Sequence, residues 1–280
     1  MKAVPLVVSF GVAVLLARPL LRTLPDRTNF RAAMVRFPAG ALLIGAVVVA
    51  LVPLGVIDQL TDGTDLWPAG FDSGIGIGGV VVFVLGCAAL GLMDDLLGGE
   101  DRGVRGHGQA LAQGRVSTGG LKAVGVLGLA AFTLSGIGLG TGEYLLAVAL
   151  LTLTTNLFNV LDLRPGRSLK MFLALGAALA IADLDSLWLL GLFVGAVLVL
   201  LPLDLREHAM LGDTGSNAVG AVAGLWLVLV LGTIGQLIAL ALIAAITLYG
   251  EFRSISKLVD RTPPLRWLDS LGRLEERPHV

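Results

Sequence analysis

Residues 75–95 read IGIGGVVVFVLGCAALGLMDD. Residues 75–93 carry no charge, and as a helix rising about 1.5 Å per residue they reach across roughly 30 Å of hydrocarbon. The run then stops at two adjacent carboxylates, Asp94 and Asp95. It is continuously apolar, where a barrel strand would alternate, so it predicts a spanning helix. Working outward, comparable runs occupy 3–24, 38–57, 120–139, 143–161, 170–184, 186–203, 215–233 and 235–252. Over 280 residues, 55% are hydrophobic and 15% charged, with a mean hydropathy of +0.87. Soluble proteins carry about 25% charged residues. The expected fold is an all-α integral membrane protein, a polytopic bundle of about nine transmembrane helices. The first run lacks a small-residue cleavage site and ends among Arg18, Arg22, Arg27 and Arg31, which predicts a retained helix.

Nineteen of the twenty Lys and Arg residues fall in alternate gaps between the runs, Lys2 being the exception. The odd gaps hold Arg18 to Arg36, then Arg102, Arg105, Arg115 and Lys122, then Arg164, Arg167 and Lys170, then Arg206; the tail adds Arg253 to Arg277. The even gaps hold Asp58, Asp62, Asp65 and Asp72, then Glu143, then Asp183 and Asp185. Cytoplasmic loops retain basic residues, so the N-terminus is expected outside and the C-terminus in the cytoplasm. The division is a transmembrane bundle over 1–252 and a cytoplasmic tail over 253–280. The net charge of −1 is uninformative beside this asymmetry. The single cysteine, Cys87, lies within a run and reads as packing. Many of the 38 glycines fall inside the runs, as at Gly125 and Gly128 or Gly220 and Gly224, where small residues let helix backbones approach.

The chemistry concentrates in the basic gaps. Asp94 and Asp95 stand where a helix leaves the bilayer, and two such groups repel unless a cation lies beside them. The run at 143–161 ends Asn156-Leu157-Phe158-Asn159-Val160-Leu161-Asp162, placing Asn156, Asn159 and Asp162 on roughly one helix face. Amide and carboxylate oxygens so arranged suit a hard cation and a polar ligand. Arg164, Arg167 and Lys170 follow, a segment suited to phosphates, although each also serves as a positive-inside flank. Arg206-Glu207-His208 precedes Gly212-Asp213-Thr214-Gly215-Ser216 at the start of another run. A turn of that kind presents backbone N–H groups and a helix dipole to an anion, with Asp213 able to hold a cation. Read alone, it is an ordinary capped turn.

Asp94-Asp95, the Asn156…Asn159…Asp162 helix end and Gly212-Asp213-Thr214-Gly215-Ser216, in this order on one face, resemble the polyprenyl-phosphate N-acetylhexosamine-1-phosphate transferases. That family includes the phospho-N-acetylmuramoyl-pentapeptide translocase and the UDP-GlcNAc:undecaprenyl-phosphate GlcNAc-1-phosphate transferases. The stretch from Asn29-Phe30-Arg31 to Phe37-Pro38-Ala39-Gly40 is similar to the family's first cytoplasmic loop. The resemblance covers nearly the whole chain. It implies a Mg²⁺-dependent transfer, with Mn²⁺ as an alternative, of a sugar 1-phosphate from a UDP-sugar to an undecaprenyl-type lipid phosphate, releasing UMP. By the same resemblance Asp213 and Asn159 would ligate the metal, and Asp94 and Asp95 would orient or deprotonate the lipid phosphate. Asn156 and Asp162 would support the nucleotide side. Lys122, with Arg164, Arg167 or Lys170, would meet the diphosphate, and His208 is the better placed of the loop histidines. The implied location is a prokaryotic cytoplasmic membrane with the site facing the cytoplasm. Implied partners are membrane lipids and a second copy of the chain, with no nucleic acid.

Two features depart from the family. Asp162 is followed by Leu163-Arg164-Pro165-Gly166, so a second carboxylate that many members carry is missing, and so is their late His-rich loop. Glu251-Phe252-Arg253-Ser254-Ile255-Ser256-Lys257 and Pro263-Pro264-Leu265-Arg266-Trp267 stand in its place. These departures motivate one alternative, a homologue that binds the lipid carrier or scaffolds a cell-envelope assembly without turnover. Another, a transporter, would call for a charge at the centre of a span, and none of the runs has one.

Overall fold

A computed structural model describes residues 1–61, 66–67, 75–98, 114 and 117–274. Every apolar run forms a helix: α1 Val4–Thr23, α2 Gly40–Leu60, α3 Ile77–Leu97, α4 Thr118–Leu134, α5 Thr141–Leu161, α6 Arg167–Ala182, α7 Leu184–Leu205, α8 Gly212–Val230 and α9 Thr233–Phe252. Two short helices follow, α10 Ile255–Arg261 and α11 Pro263–Ser270. Seven of the helices are long and apolar enough to cross a membrane; α4 and α6 are shorter, at 17 and 16 residues. The outer surface agrees with a lipid environment. Ile181, Leu15, Ile234 and Phe132 are each at least 70% exposed, an apolar belt that water would not tolerate.

The chain is not purely helical. Strands β1 Asp26–Thr28 and β2 Met34–Arg36 form an antiparallel ribbon pairing Asp26 with Arg36 and Thr28 with Met34. Asn29 makes its turn, accepting from the amides of Arg31 and Ala33 at 2.9 and 3.0 Å. The ribbon is zipped to the segment before α8: Met210 N–H donates to Arg36 O (2.8 Å), Ala39 N–H to Met210 O (2.7 Å) and Gly40 N–H to Leu211 O (2.9 Å). This segment reads as a loop in the sequence, and the pairing arises from long-range contact that local sequence does not encode.

Helix α8 is the hub. It packs against α3, α5, α6, α2 and α7, and its residues from Thr214 to Leu227 are all buried. Gly220 and Gly224 let it approach α5, since a Cβ at Gly220 would press on the Thr155 backbone and one at Gly224 on Leu151. Trp226 lies against Phe172 with ring centroids 5.8 Å apart, and its Nε1 donates to Ser186 Oγ at 2.7 Å, which satisfies its one polar atom. Helix α9 packs mainly on α5 and buries only Ile243, leaving most of its surface for lipid.

The tail is folded onto the bundle. Arg167, at the start of α6, reaches Asp269 of α11 through Nε (2.7 Å) and Nη2 (3.0 Å), while Arg273 clasps the other side of the same carboxylate. Lys170 Nζ donates to the carbonyls of Leu268, Asp269 and Leu271. Asp62, Asp65, Asp72, Arg102, Arg105, His107, Arg115, Arg277 and His279 lie outside the described residues.

Candidate functional site

Because consecutive helices run in opposite directions, the C-terminal ends of α3 and α5 meet the N-terminal ends of α4 and α8. That end of the bundle gathers Asp94, Lys122, Asn159 and Asp213. Lys122 Nζ donates to Asp94 Oδ2 at 2.7 Å and to Asp213 Oδ2 at 2.5 Å, an ammonium held between two carboxylates from different helices. Asn159 completes the group. With its amide oxygen 2.9 Å from Lys122 Nζ, its nitrogen donates to Asp213 Oδ1 (2.9 Å) and Ser216 Oγ (3.2 Å), the orientation in which every donor meets an acceptor.

Asp95 plays a different part from its neighbour. It is 8% exposed, and its carboxylate accepts from the amides of Asp213 (2.9 Å) and Thr214 (2.8 Å) and from the Thr214 hydroxyl (2.6 Å). The N–H groups at the start of α8, expected to face a ligand anion, are therefore taken by the chain's own Asp95. Gly212 makes this possible. Its φ of +74° suits glycine, and a Cβ there would strike Pro38, Phe37 and Asp95. Gly91 serves likewise, since any side chain would collide with the Asp213 carbonyl and separate α3 from α8.

Two cavities meet at this cluster and share Arg27, Asp95 and Asp213. The larger, about 1010 Å³, runs between α3, α4, α5, α8 and α9 past Asn156, Asn159 and Lys122. The smaller, about 280 Å³, lies between the ribbon and the loops before α6 and α8, where Asp162, Arg164, Asp204 and Glu207 line it. Asp162 just beyond α5 has its pKa pushed well up by burial, then by repulsion from Asp204, Asp213 and Asp95. Arg164 stacks over the Phe30 ring at 4.6 Å and Arg27 over Phe37 at 4.3 Å. Among the described residues the two linings hold seven carboxylates, Asp94, Asp95, Asp162, Asp204, Glu207, Asp213 and Glu251, against three cations, Arg27, Lys122 and Arg164. An anionic ligand entering here therefore needs added positive charge.

A divalent cation fits that need. The described residues contain no cluster of three or more His, Cys, Asp or Glu placed to hold a metal alone. Mg²⁺, however, takes one or two carboxylates and completes its shell with water and phosphate oxygens. Turning the Asn159 amide over sets its oxygen beside Asp213 Oδ1, two hard donors converging on one point.

Not every expected residue is brought here. Arg167 and Lys170 are committed to the tail through Asp269 and its neighbouring carbonyls, so of the three basic residues after Asp162 only Arg164 lines a cavity. The sequence shows a phosphate-like basic segment; the tail that consumes two of its charges lies about a hundred residues on. His208 is exposed and does not line either cavity among the described residues. Arg27, Asp204 and Glu207 are additions. Arg27 had counted only toward orientation, and Asp204 sits inside an apolar helix end with its Oδ2 accepting from Gly166 N–H at 2.6 Å. Glu207 holds the ribbon, accepting from Asn29 Nδ2 at 2.7 Å and pairing with Arg31 at 3.1 Å. No family model matches the chain, and no curated protein matches it.

Proposed function

We propose that this protein transfers a sugar 1-phosphate from a UDP-sugar, of the UDP-N-acetylhexosamine class, to a polyprenyl phosphate, giving a polyprenyl diphosphosugar and UMP. The observation that carries the reading is the Asp94–Lys122–Asp213 bridge at the junction of two cavities. One cavity opens along spanning helices, as a lipid phosphate requires; the other is framed by loops and arginine-backed aromatic rings, as a nucleotide requires. Alternation of basic and acidic gaps supports nine spans, an external N-terminus and a site on the cytoplasmic face of a prokaryotic plasma membrane.

In this reading an oxygen of the lipid phosphate forms a bond to the sugar-linked phosphorus, the bond from that phosphorus to the bridging oxygen breaks, and the electron pair leaves on UMP. Such transfers depend on positioning and charge stabilisation. Mg²⁺, held by Asp213 and Asn159, would supply charge neutralisation across the diphosphate. Lys122 turns its ammonium from the carboxylates toward phosphate oxygens, and Arg27, lining both cavities, serves the same end. Asp94 orients the lipid phosphate or takes its last proton. Asp95 acts by holding α8, and with it Asp213, in place. Asn156, expected beside Asp162 on the nucleotide side, lines the larger cavity and so serves the lipid side here, and Asp162 with Arg164 the nucleotide side.

Asp213→Asn and Asp94→Asn test the site. Each is expected to abolish metal-dependent UMP formation while leaving the detergent-solubilised bundle folded by thermal unfolding. Unchanged activity in both would overturn the assignment.

A further inference from the structure

The larger cavity continues past Asp213 along α8. Asn217 lies one helical turn further, about 6 Å by helix rise. It is 1% exposed and lines this cavity, and its Nδ2 has no hydrogen-bond partner among the described residues. Thr247, from α9 on the same cavity, brings a second group without such a partner, its Oγ1. The other three threonines on the wall differ, Thr118 being hydrogen-bonded to the Asp94 carboxylate. Thr152 donates to Val148 O (2.8 Å) and Thr155 to Leu151 O (2.9 Å), so the unused donors belong to Asn217 and Thr247 specifically. A buried donor left unmade costs about 1–3 kcal/mol, which Leu or Val at these positions would avoid. Around and beyond them the lining includes apolar Val126, Leu153 and Ala244.

The order along the cavity is thus a cationic anchor at Lys122, then hydrogen-bond donors one turn deeper with apolar wall around and beyond them. A polyprenyl phosphate has no oxygen beneath its phosphate. An acyl glycerophospholipid has ester carbonyls at that depth and hydrocarbon chains below. We propose that this groove is a binding site for an acyl glycerophospholipid, its phosphate at Lys122 and its ester carbonyls accepting from Asn217 Nδ2 and Thr247 Oγ1. Membrane phospholipid and a polyprenyl phosphate then exclude each other from the groove, so bulk lipid composition tunes access to the site. The inference rests on the cavity and does not require that the transfer reaction occur.

Native mass spectrometry of the full-length, detergent-solubilised protein, titrated in the presence of Mg²⁺ with dioleoyl phosphatidic acid or its dialkyl ether analogue, tests it. The two lipids share the phosphate and the chains, and the ether lacks carbonyl acceptors. The diester is expected to bind about tenfold more tightly, as one to two hydrogen bonds imply. Asn217→Leu and Thr247→Val are each expected to narrow that gap while leaving dialkyl and undecaprenyl phosphate affinities unchanged. Thr247→Val alone carries the test if Asn217→Leu fails to fold. Equal affinity of diester and diether for the unaltered protein, or a gap that survives the substitutions, overturns the proposal. So does an equal loss of undecaprenyl phosphate binding in the variants. A protein that makes no UMP yet prefers the diester retains this site and loses the transferase reading.

Discussion

Asp95 Oδ2 accepts from both the amide and the hydroxyl of Thr214, at 2.8 and 2.6 Å, so the end of α3 caps the beginning of α8. The adjacent Asp94 faces the cavity and pairs with Lys122. Two neighbouring carboxylates thus divide the work, one fixing the backbone that carries Asp213 and the other meeting the ligand.

The division predicts different failures for the pair. Asp95→Ala leaves two buried amides and a hydroxyl without an acceptor and is expected to cost on the order of 2–4 kcal/mol of stability, beyond that of an ordinary lost cap. Asp94→Ala leaves Lys122 still paired with Asp213 and is expected to change the thermal midpoint by much less. Thermal unfolding of the purified variants measures the difference.

Lys122→Met leaves Asp94 and Asp213 facing one another with no cation between them. On the proposed reaction it should lower UMP release at least a hundredfold, the scale of removing one preorganised charge donor. Lys122→Arg is expected to recover little, because a planar fork cannot replace a point charge set between two carboxylates. Single-turnover rates with saturating lipid phosphate check both.

How far the sequence disclosed this arrangement depends on the range of each signal. The helices were legible because an uninterrupted apolar run has one physical outcome in a bilayer, and the run ending at Asp94 shows it. Asp94, Asn159 and Asp213 were legible as polar groups at helix ends that would otherwise be costly to bury. Lys122 stood out as a basic residue at the start of an apolar run, in what is the first part of α4, although its bridging of two carboxylates depends on packing α3 against α8. The cap by Asp95 was not legible, since adjacent identical residues give no sign of which one faces inward. Nor was the fate of Arg167 and Lys170, whose partner Asp269 comes from a short polar helix after the last span. Asp204 was hidden by its apolar neighbours.

That tail clamp makes a pH prediction. Burial opposes ionisation of Asp269, but hydrogen bonds from Arg167 and Arg273 more than offset it and hold its pKa below the usual carboxylate value. A carboxylate depressed on folding contributes stability that is complete above its unfolded pKa of about 4 and is lost as pH falls through the folded value. Asp269→Asn is therefore expected to lower the thermal midpoint at pH 7, by the equivalent of about 1–3 kcal/mol, with the difference shrinking below pH 4. A melting series from pH 3 to pH 8 reads it.

Asp162 should behave in the opposite sense. Its pKa is raised by burial and by the acids around it, so the folded chain holds its proton more tightly than the unfolded chain does. Stability contributed by that proton declines as pH rises above the ordinary carboxylate range toward the folded pKa. Asp162→Asn, which keeps the shape without the charge, is expected to match the unaltered protein at pH 4 and to melt higher at pH 8. The same series of melts reports it.

The close approach at Gly91 gives a steric prediction. Gly91→Ala drives a methyl into the Asp213 carbonyl, a backbone atom that cannot step aside, and is expected to part α3 from α8. Activity and the α8 cap should fail together, with a loss of at least 2 kcal/mol in thermal unfolding, whereas Gly128→Ala, which meets nothing within 4 Å, should be silent.

The most direct test of the central claim is UMP release by the purified protein with undecaprenyl phosphate and Mg²⁺ against a panel of UDP-sugars, run beside Asp213→Asn. The account predicts release with one donor, lost on chelation and absent in Asp213→Asn. Silence across the whole panel from a folded protein that still binds undecaprenyl phosphate, or release that Asp213→Asn leaves intact, would contradict it.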